Sequence, residues 1–173
     1  MPSLQEAIDK AKTYDPSFGL LIELKPAKGK AAEMVQALIQ LIEKNHFENQ
    51  TIFMSMDYEA VTLLQQQRPD WWIGYCIFGS LGKIDQRLQV DFLAIEEGLA
   101  NTRFLEQARN NGIPVYIWTV DDYYAVLNYL RMGVSGIIGD NVQDIRYAVN
   151  DYEQHNDETY VYQERGYPKE LTS

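Results

Sequence analysis

Two oppositely charged residues interrupt an apolar stretch near the start of the chain. Glu23 and Lys25 lie within Gly19–Pro26, whose sequence is GLLIELKP. A strand here would place both charges on one face, and its apolar character predicts burial on both faces in a parallel sheet. Because an unpaired buried charge costs roughly several kcal/mol, the two residues must either pair with each other or hold a ligand at the mouth of a site. The stretch by itself leaves both alternatives open.

Composition excludes several classes of function. The chain has 173 residues, 46% of them hydrophobic and 23% charged, which indicates a soluble globular protein with one domain. Its net charge of −10 argues against binding to nucleic acid or to anionic lipid, since both require clustered cations. The single cysteine, Cys76, excludes an intrachain disulfide and a cysteine-based zinc site. No apolar run reaches membrane length and no signal peptide opens the chain, so we expect a soluble chain. The cytoplasm is the expected compartment, but the missing signal does not fix it.

Strand and helix signals alternate along most of the sequence. Ser3 and Glu6 form a capping box for a first helix, and Asp57, Asp121 and Asn141 are predicted to cap later helices. The predicted strands are the opening stretch Gly19–Pro26 followed by Thr51–Ser55, Trp72–Cys76, Val90–Ile95, Pro114–Thr119 and Gly136–Gly139. This alternation predicts an α/β fold with a parallel sheet, either open and doubly wound or closed as a (β/α) barrel.

Four short stretches, taken in order, carry a family resemblance. They are PSLQE at Pro2–Glu6, LIELK at Leu21–Lys25, VYIWTVD at Val115–Asp121 and GVSGIIGD at Gly133–Asp140. Together they resemble the glycerophosphodiester phosphodiesterase family over residues 1–150. The resemblance implies a TIM-type barrel that hydrolyses glycerophosphodiesters to glycerol 3-phosphate and an alcohol. It also implies a divalent cation, calcium or magnesium, held by carboxylates at the C-terminal mouth of the barrel.

The resemblance assigns candidate roles to four residues, each with a structural alternative. Glu23 matches a metal ligand and Lys25 matches a lysine near the phosphate, the alternative being a salt bridge between the two. Trp118 matches an aromatic that lines the substrate site, against ordinary core packing. Ser55 matches a substrate-side position, against a helix-cap or turn role. A single carboxylate predicts weak binding of the cation when the fragment is alone.

Acids near the fourth predicted strand receive no role. Asp91, Glu96 and Glu97 are candidates for the mouth of a site, and solvated acids are the preferred interpretation.

The sequence also departs from the family in its catalytic motifs. The family's H-R-G, E-x-D and H-D stretches are absent, and the two histidines, His46 and His155, lie in other contexts. The chain therefore resembles the C-terminal part of such an enzyme, an incomplete barrel lacking the first strands, where a whole barrel needs about 250 residues. Residues 1–150 are predicted to form the barrel part and residues 151–173 a polar C-terminal extension. By itself the fragment is expected to be catalytically inactive.

Two other interpretations stay open at this point. The chain could be a non-catalytic binding or interaction module that keeps a remnant glycerol-phosphate pocket, or its missing strands could come from a partner chain. Unpaired strand edges would favour association, including a homo-oligomer. The expected ligand of the intact enzyme is a glycerophosphodiester, with no nucleic acid partner. The headgroup, the metal and the attachment of a parent enzyme to a membrane are left open.

Overall fold

A computed structural model of the chain describes residues 2–15, 18–79 and 90–155. Most of the loop predicted after Phe78 and most of the predicted extension 151–173 lie outside these residues. The described residues form two units, one that runs to Tyr75 and one that begins at Cys76. Within the described residues, no helix is long and apolar enough to cross a membrane.

The first unit contains parallel strands that alternate with helices. Its elements are α1 (Leu4–Ala11), β1 (Leu20–Leu24), α2 (Ala31–Asn45), β2 (Thr51–Ser55), α3 (Tyr58–Gln67) and β3 (Trp72–Ile77), the last of which continues past the boundary of the unit. β2 pairs in parallel with β1 and with β3, so that Ser55 lies opposite Leu24 on one side and Tyr75 on the other. The predicted capping box of Ser3 and Glu6 is confirmed at the start of α1.

Helix packing builds the core of the first unit. The apolar stripe of α3, formed by Ala60, Val61 and Leu64, is fully buried. On α2 the buried stripe is formed by Ala31, Val35, Leu38, Ile39 and Ile42. Fully burying one such aliphatic side chain contributes about 1.5–3 kcal/mol. These two helices therefore hold the strands beneath them in place.

The prediction that β1 is buried on both faces is wrong. Leu20, Leu21, Ile22 and Glu23 are half-buried, and only Leu24 is buried. Within its own unit, and among the described residues, β1 pairs with β2 on one side and has no strand on the other. The strand is therefore an edge strand, which explains its partial exposure.

The second unit repeats the strand and helix pattern. Its elements are β4 (Phe92–Glu96), α4 (Thr102–Asn110), β5 (Val115–Trp118), α5 (Tyr123–Arg131), β6 (Gly136–Ile138) and α6 (Val142–His155). β5 pairs in parallel with β4 and with β6, and Trp118 lies opposite Glu96 and Ile138. The strands closely follow the predicted ones, and the α/β prediction is confirmed in both units.

One predicted helix cap is wrong. Asp122, not Asp121, caps α5 by accepting a hydrogen bond from the backbone of Ala125. The Asp121 carboxylate instead accepts hydrogen bonds from the backbone N–H groups of Asp140 and Asn141, at 2.6 and 2.9 Å. It thereby links the end of β5 to the start of α6, a long-range role that local sequence patterns do not reveal.

The hydroxyl of Ser55 connects three elements of the first unit. Ser55 is fully buried. Its Oγ donates a hydrogen bond to the carbonyl of Leu24 at 2.6 Å and accepts one from the backbone N–H of Asp57 at 3.0 Å. Asp57 in turn caps α3 through the N–H of Ala60. The end of β1 is thus tied to the end of β2 and to the start of α3.

Replacing Ser55 by alanine should destabilise the protein. Ser55→Ala leaves the Leu24 carbonyl and the Asp57 N–H without their partner, which costs about 1–3 kcal/mol of unfolding free energy. Urea unfolding followed by circular dichroism measures the change. Ser135→Ala, the same substitution at an exposed position, is the control and should stay within about 0.5 kcal/mol of the wild type. Equal stability of both variants would contradict the structural role of Ser55.

Candidate functional site

Predicted site residues of the first unit lie at the carboxyl ends of its strands. Glu23 is the fourth residue of β1, Lys25 follows the strand directly, and Ser55 is the last residue of β2. Since β1 and β2 are parallel, these ends meet at one edge of the sheet. In barrel enzymes of the β/α type this edge carries the chemistry.

Glu23 and Lys25 form an ion pair at this edge. The Nζ of Lys25 lies 3.1 Å from Oε2 of Glu23, with side-chain exposures of 75% and 23% respectively. An ion pair with one partner this exposed contributes about 0–1 kcal/mol. The pair is therefore present but weak, and a phosphate oxygen can compete for the ammonium group at little cost.

Ser55 is brought to the same edge but turns its hydroxyl inward. Both hydrogen bonds of the hydroxyl go to main-chain groups, and the side chain is fully buried. This geometry matches the turn role that the sequence left as an alternative. A contact between Ser55 and a substrate stays a prediction.

The metal site predicted around Glu23 is not complete in the described part of the chain. Among residues 2–15, 18–79 and 90–155, no group of three or more His, Cys, Asp or Glu side chains could hold a metal ion. Calcium takes about six to eight oxygen ligands and magnesium about six, whereas Glu23 offers one carboxylate that already contacts Lys25. These residues do not fit a full metal site, and the role of Glu23 as a ligand stays a prediction.

His46 precedes β2 and lies at the end of that strand opposite to the candidate edge. It is exposed and ends α2 in a left-handed conformation, with a φ of 51°, five residues before β2 begins. The candidate edge lies at the other end of β2, beyond Ser55. His46 therefore cannot serve as an acid or base for a ligand bound beside Glu23.

In the second unit, Trp118 ends β5 beside an exposed aromatic ring. The rings of Trp118 and Phe78 are stacked, with centroids 6.2 Å apart and an interplanar angle of 19°. Phe78 is 67% exposed. The indole Nε1 of Trp118 is buried and has no hydrogen-bond partner among the described residues. The Trp118–Thr119 peptide bond is cis. Trp118 thus forms part of an aromatic surface and not of a closed core, although its contact with a substrate stays a prediction.

Glu96 shares the sheet face of Trp118. Phe92, four residues before Glu96, stacks on Tyr116, two residues before Trp118, with ring centroids 4.6 Å apart. Because side chains alternate between the two faces of a strand, Glu96 and Trp118 point to the same side. The two residues are also directly opposite in the register of β4 and β5.

The neighbouring acid, Glu97, is engaged in a different contact. Its Oε1 accepts a hydrogen bond from the hydroxyl of Tyr129 at 3.3 Å. Burial raises the pKa of this tyrosine, and the negative charge of Glu97 and the hydrogen bond raise it further. Glu97 therefore supports the fold.

Sequence reasoning did not single out Glu96 or Phe78, which lie next to Trp118. Glu96 was interpreted as a solvated acid, and Phe78 was placed at the start of a loop. The position of Glu96 directly after a predicted strand was the available signal, since strand ends carry the sites of barrel folds. Phe78 carried no comparable signal, because its stacking partner lies 40 positions further along the chain.

Solved structures similar to this chain share its fold. A phosphodiesterase of Oleispira antarctica, in complex with sn-glycerol-3-phosphate, gives a TM-score of 0.79 at 24% identity and covers 86% of this chain and 61% of its own. A candidate glycerophosphoryl diester phosphodiesterase of Silicibacter pomeroyi gives a TM-score of 0.77 at 22% identity and covers 87% of this chain and 57% of its own. A glycerophosphodiester phosphodiesterase of Parabacteroides distasonis gives a TM-score of 0.75 at 16% identity and covers 87% of this chain and 65% of its own.

These similarities settle the fold class. They confirm the prediction of an incomplete (β/α) barrel of the TIM type and exclude the open, doubly wound alternative. The chain spans about three fifths of the length of the solved structures that it matches. A search of curated proteins finds no significant match.

The family itself is shown by the sequence. The pattern that defines the glycerophosphoryl diester phosphodiesterase family matches residues 1–144 of the 173. This match includes all four stretches on which the resemblance was based. The chain belongs to the glycerophosphoryl diester phosphodiesterase family.

Proposed function

We propose that this chain supplies part of the active site of a phosphoric diester hydrolase. The reaction is cleavage of a glycerophosphodiester to glycerol 3-phosphate and an alcohol, with a divalent cation. The observation that carries the proposal is the ion pair of Glu23 and Lys25 at the carboxyl end of β1. Membership in the family supports it.

Lys25 is proposed to contact the phosphate. Its side chain is 75% exposed and lies just beyond the end of β1. A lysine there acts as a compact positive charge toward a phosphate oxygen. The protein as a whole carries a net charge of −10, so a local cation is needed for an anionic substrate to bind.

Glu23 is proposed as a cation ligand of low affinity. One of its oxygens contacts Lys25, and anion binding to Lys25 would release the carboxylate for calcium or magnesium. With one protein carboxylate, binding of either ion should be weak, with a dissociation constant of about 10⁻³ M or higher.

Trp118 and Ser55 are proposed to lie on the substrate side of their units. Trp118 presents an aromatic surface that is shared with Phe78. Ser55 acts through position, because its hydroxyl holds the turn that follows β2.

The chain by itself is proposed to be inactive. General acid and base groups contribute about 10²–10⁴-fold each to such reactions. The chain has two histidines, and His46 lies at the wrong end of β2 to serve the candidate site. The fragment would then bind the product phosphate without turning over the diester.

The purified chain should not hydrolyse glycerophosphocholine with calcium or magnesium added, because an acid and base pair is missing. Coupled detection of released choline measures the reaction. The proposed inactivity would be contradicted by turnover that is lost in Glu23→Ala and retained in Glu33→Ala, a substitution at an exposed helical position.

Lys25→Gln should weaken binding of sn-glycerol 3-phosphate by about five-fold, since one charge-assisted hydrogen bond is lost. Isothermal titration calorimetry or a phosphorus-31 titration measures the affinity. Lys28→Gln is the matched control, because Lys28 is an exposed lysine three residues further along the same loop. An equal loss in both variants would show a non-specific charge effect and contradict the role of Lys25.

We also propose that the chain associates through β1. This edge strand has no strand partner on its outer side within its unit, and its side chains from Leu20 to Glu23 are half-buried. Just before it, the exposed rings of Tyr14 and Phe18 contact each other, with ring centroids 5.0 Å apart. Unpaired edges of this kind pair with other chains. The occupant is a second copy of the chain or a partner that supplies a strand.

Sedimentation equilibrium should therefore give a mass above the 20.0 kDa of one chain. Leu21→Lys, which places a charge on the edge strand, should shift the protein toward the monomer. Gln36→Lys adds the same charge at an exposed position of α2 and should leave the mass unchanged. A wild-type monomer at all concentrations would contradict association through β1.

A further inference from the structure

The last strand of the second unit, β6, is an edge strand like β1. It pairs in parallel with β5 on one side and, among the described residues of its unit, has no strand on the other side. Its three residues, Gly136, Ile137 and Ile138, are all half-buried although none of them is polar or charged. The second unit therefore exposes an apolar strand edge that the proposed reaction does not use.

The backbone of β6 offers hydrogen-bonding groups on this outer side. The N–H of Ser135, directly before the strand, donates to the Val115 carbonyl of β5 at 2.8 Å. Because successive residues of a strand point their backbone groups to opposite sides, the N–H and C=O of Gly136 face away from β5. One face of the strand is covered here, since a Cβ on Gly136 would lie 3.1 Å from the ring of Tyr116. The open part of β6 is therefore its edge.

Strand direction decides which edge of a second copy fits β1. In a (β/α) barrel the helices cover one face of a parallel sheet. A two-fold axis that joins two like edges makes the strands antiparallel or places the helices of the two copies on opposite faces. Joining β1 of one copy to β6 of another keeps the strands parallel and the helices on one face. All strand pairs described in the two units are parallel, so the unlike edges continue the existing pattern.

The side chains of the two edges fit this pairing. β1 begins with three apolar residues, 20–22, before the charge of Glu23, and β6 consists of three uncharged residues. Parallel strands that are buried on both faces carry apolar residues on both faces, and these two strands have that composition although they are only half-buried. A register that pairs residues 20–22 with Gly136–Ile138 buries apolar side chains and leaves Glu23 and Lys25 beyond the contact.

We infer that the second copy seated on β1 contributes its β6, so that the chain associates head to tail through two unlike edges. The inference rests on the association through β1 proposed above, and it names the surface of the occupant. A contact between unlike surfaces leaves one β1 and one β6 unfilled in every open assembly. Growth then stops only where the assembly closes on itself.

A mixture of two blocked variants tests the inference. Leu21→Lys blocks β1 and Ile138→Lys blocks β6, because a charged side chain on an edge strand opposes pairing. Each variant alone should sediment with the 20.0 kDa of one chain, and circular dichroism checks that it is folded. Their equimolar mixture should give about twice that mass, since each variant keeps the edge that the other lacks. Gln107→Lys, at an exposed position of α4, is the control and should associate like the wild type.

A cysteine cross-link tests the same contact without adding charge. In the inferred register Leu21 lies opposite Ile137, and neighbouring strands lie about 4.8 Å apart, within the Cα separation that a disulfide spans. A mixture of Leu21→Cys and Ile137→Cys should therefore form a disulfide-linked pair of chains under mild oxidation. The wild type, whose Cys76 is buried, is the control and should stay unlinked. Linked chains in Leu21→Cys alone, at the yield of the mixture, would show contact between two β1 strands and overturn the inference.

The outcomes separate this inference from the proposed association. If the wild type associates and Ile138→Lys alone associates equally, or if the mixture of blocked variants stays at 20.0 kDa, the head-to-tail contact is overturned and association through β1 is kept. A wild type that is monomeric at all concentrations would overturn both. Neither result bears on the hydrolase proposal, which rests on Glu23 and Lys25.

Discussion

Parallel pairing of neighbouring strands is the constraint on which the candidate site depends. In the first unit the register places Leu24 opposite Ser55, and the Ser55 hydroxyl fixes this arrangement by bonding to the Leu24 carbonyl and the Asp57 N–H. In the second unit the same kind of pairing places Glu96 opposite Trp118. A slip of one residue would turn each side chain to the other face of its sheet. The chemistry at the strand ends therefore follows from backbone geometry.

The weak ion pair at the strand ends suits a binding site better than a structural role. A buried ion pair resists disruption because separating it leaves a desolvated charge, whereas the pair of Glu23 and Lys25 is open to solvent on the lysine side. Arg68, whose side chain is 19% exposed, forms a denser cluster in the same unit. Its guanidinium contacts Glu43 and Asp70 and lies over the ring of Trp71, and the hydrogen bond from Arg68 lowers the pKa of Asp70. That cluster holds structure, while Lys25 is free to exchange its partner.

Local patterns predicted most of the secondary structure, and long-range contacts account for what they missed. Strand alternation located the parallel strands, and side chains such as Ser3 and Asp57 cap helices as expected. The burial of β1 could not be predicted, because it depends on whether another strand lies beside it. The bonds of Asp121 to the start of α6 and the stacking of Phe78 on Trp118 join residues 19 to 40 positions apart. Motif resemblance supplied the family and the proposed roles of Glu23 and Lys25, which no periodicity could have given.

A crystal structure of the chain with sn-glycerol 3-phosphate and calcium would test the central claim most directly. The account predicts that the phosphate lies against Nζ of Lys25, that the Glu23 carboxylate has turned from the lysine toward the cation, and that the Ser55 hydrogen bonds are unchanged. A phosphate bound elsewhere, with the ion pair of Glu23 and Lys25 intact at 3.1 Å, would contradict it.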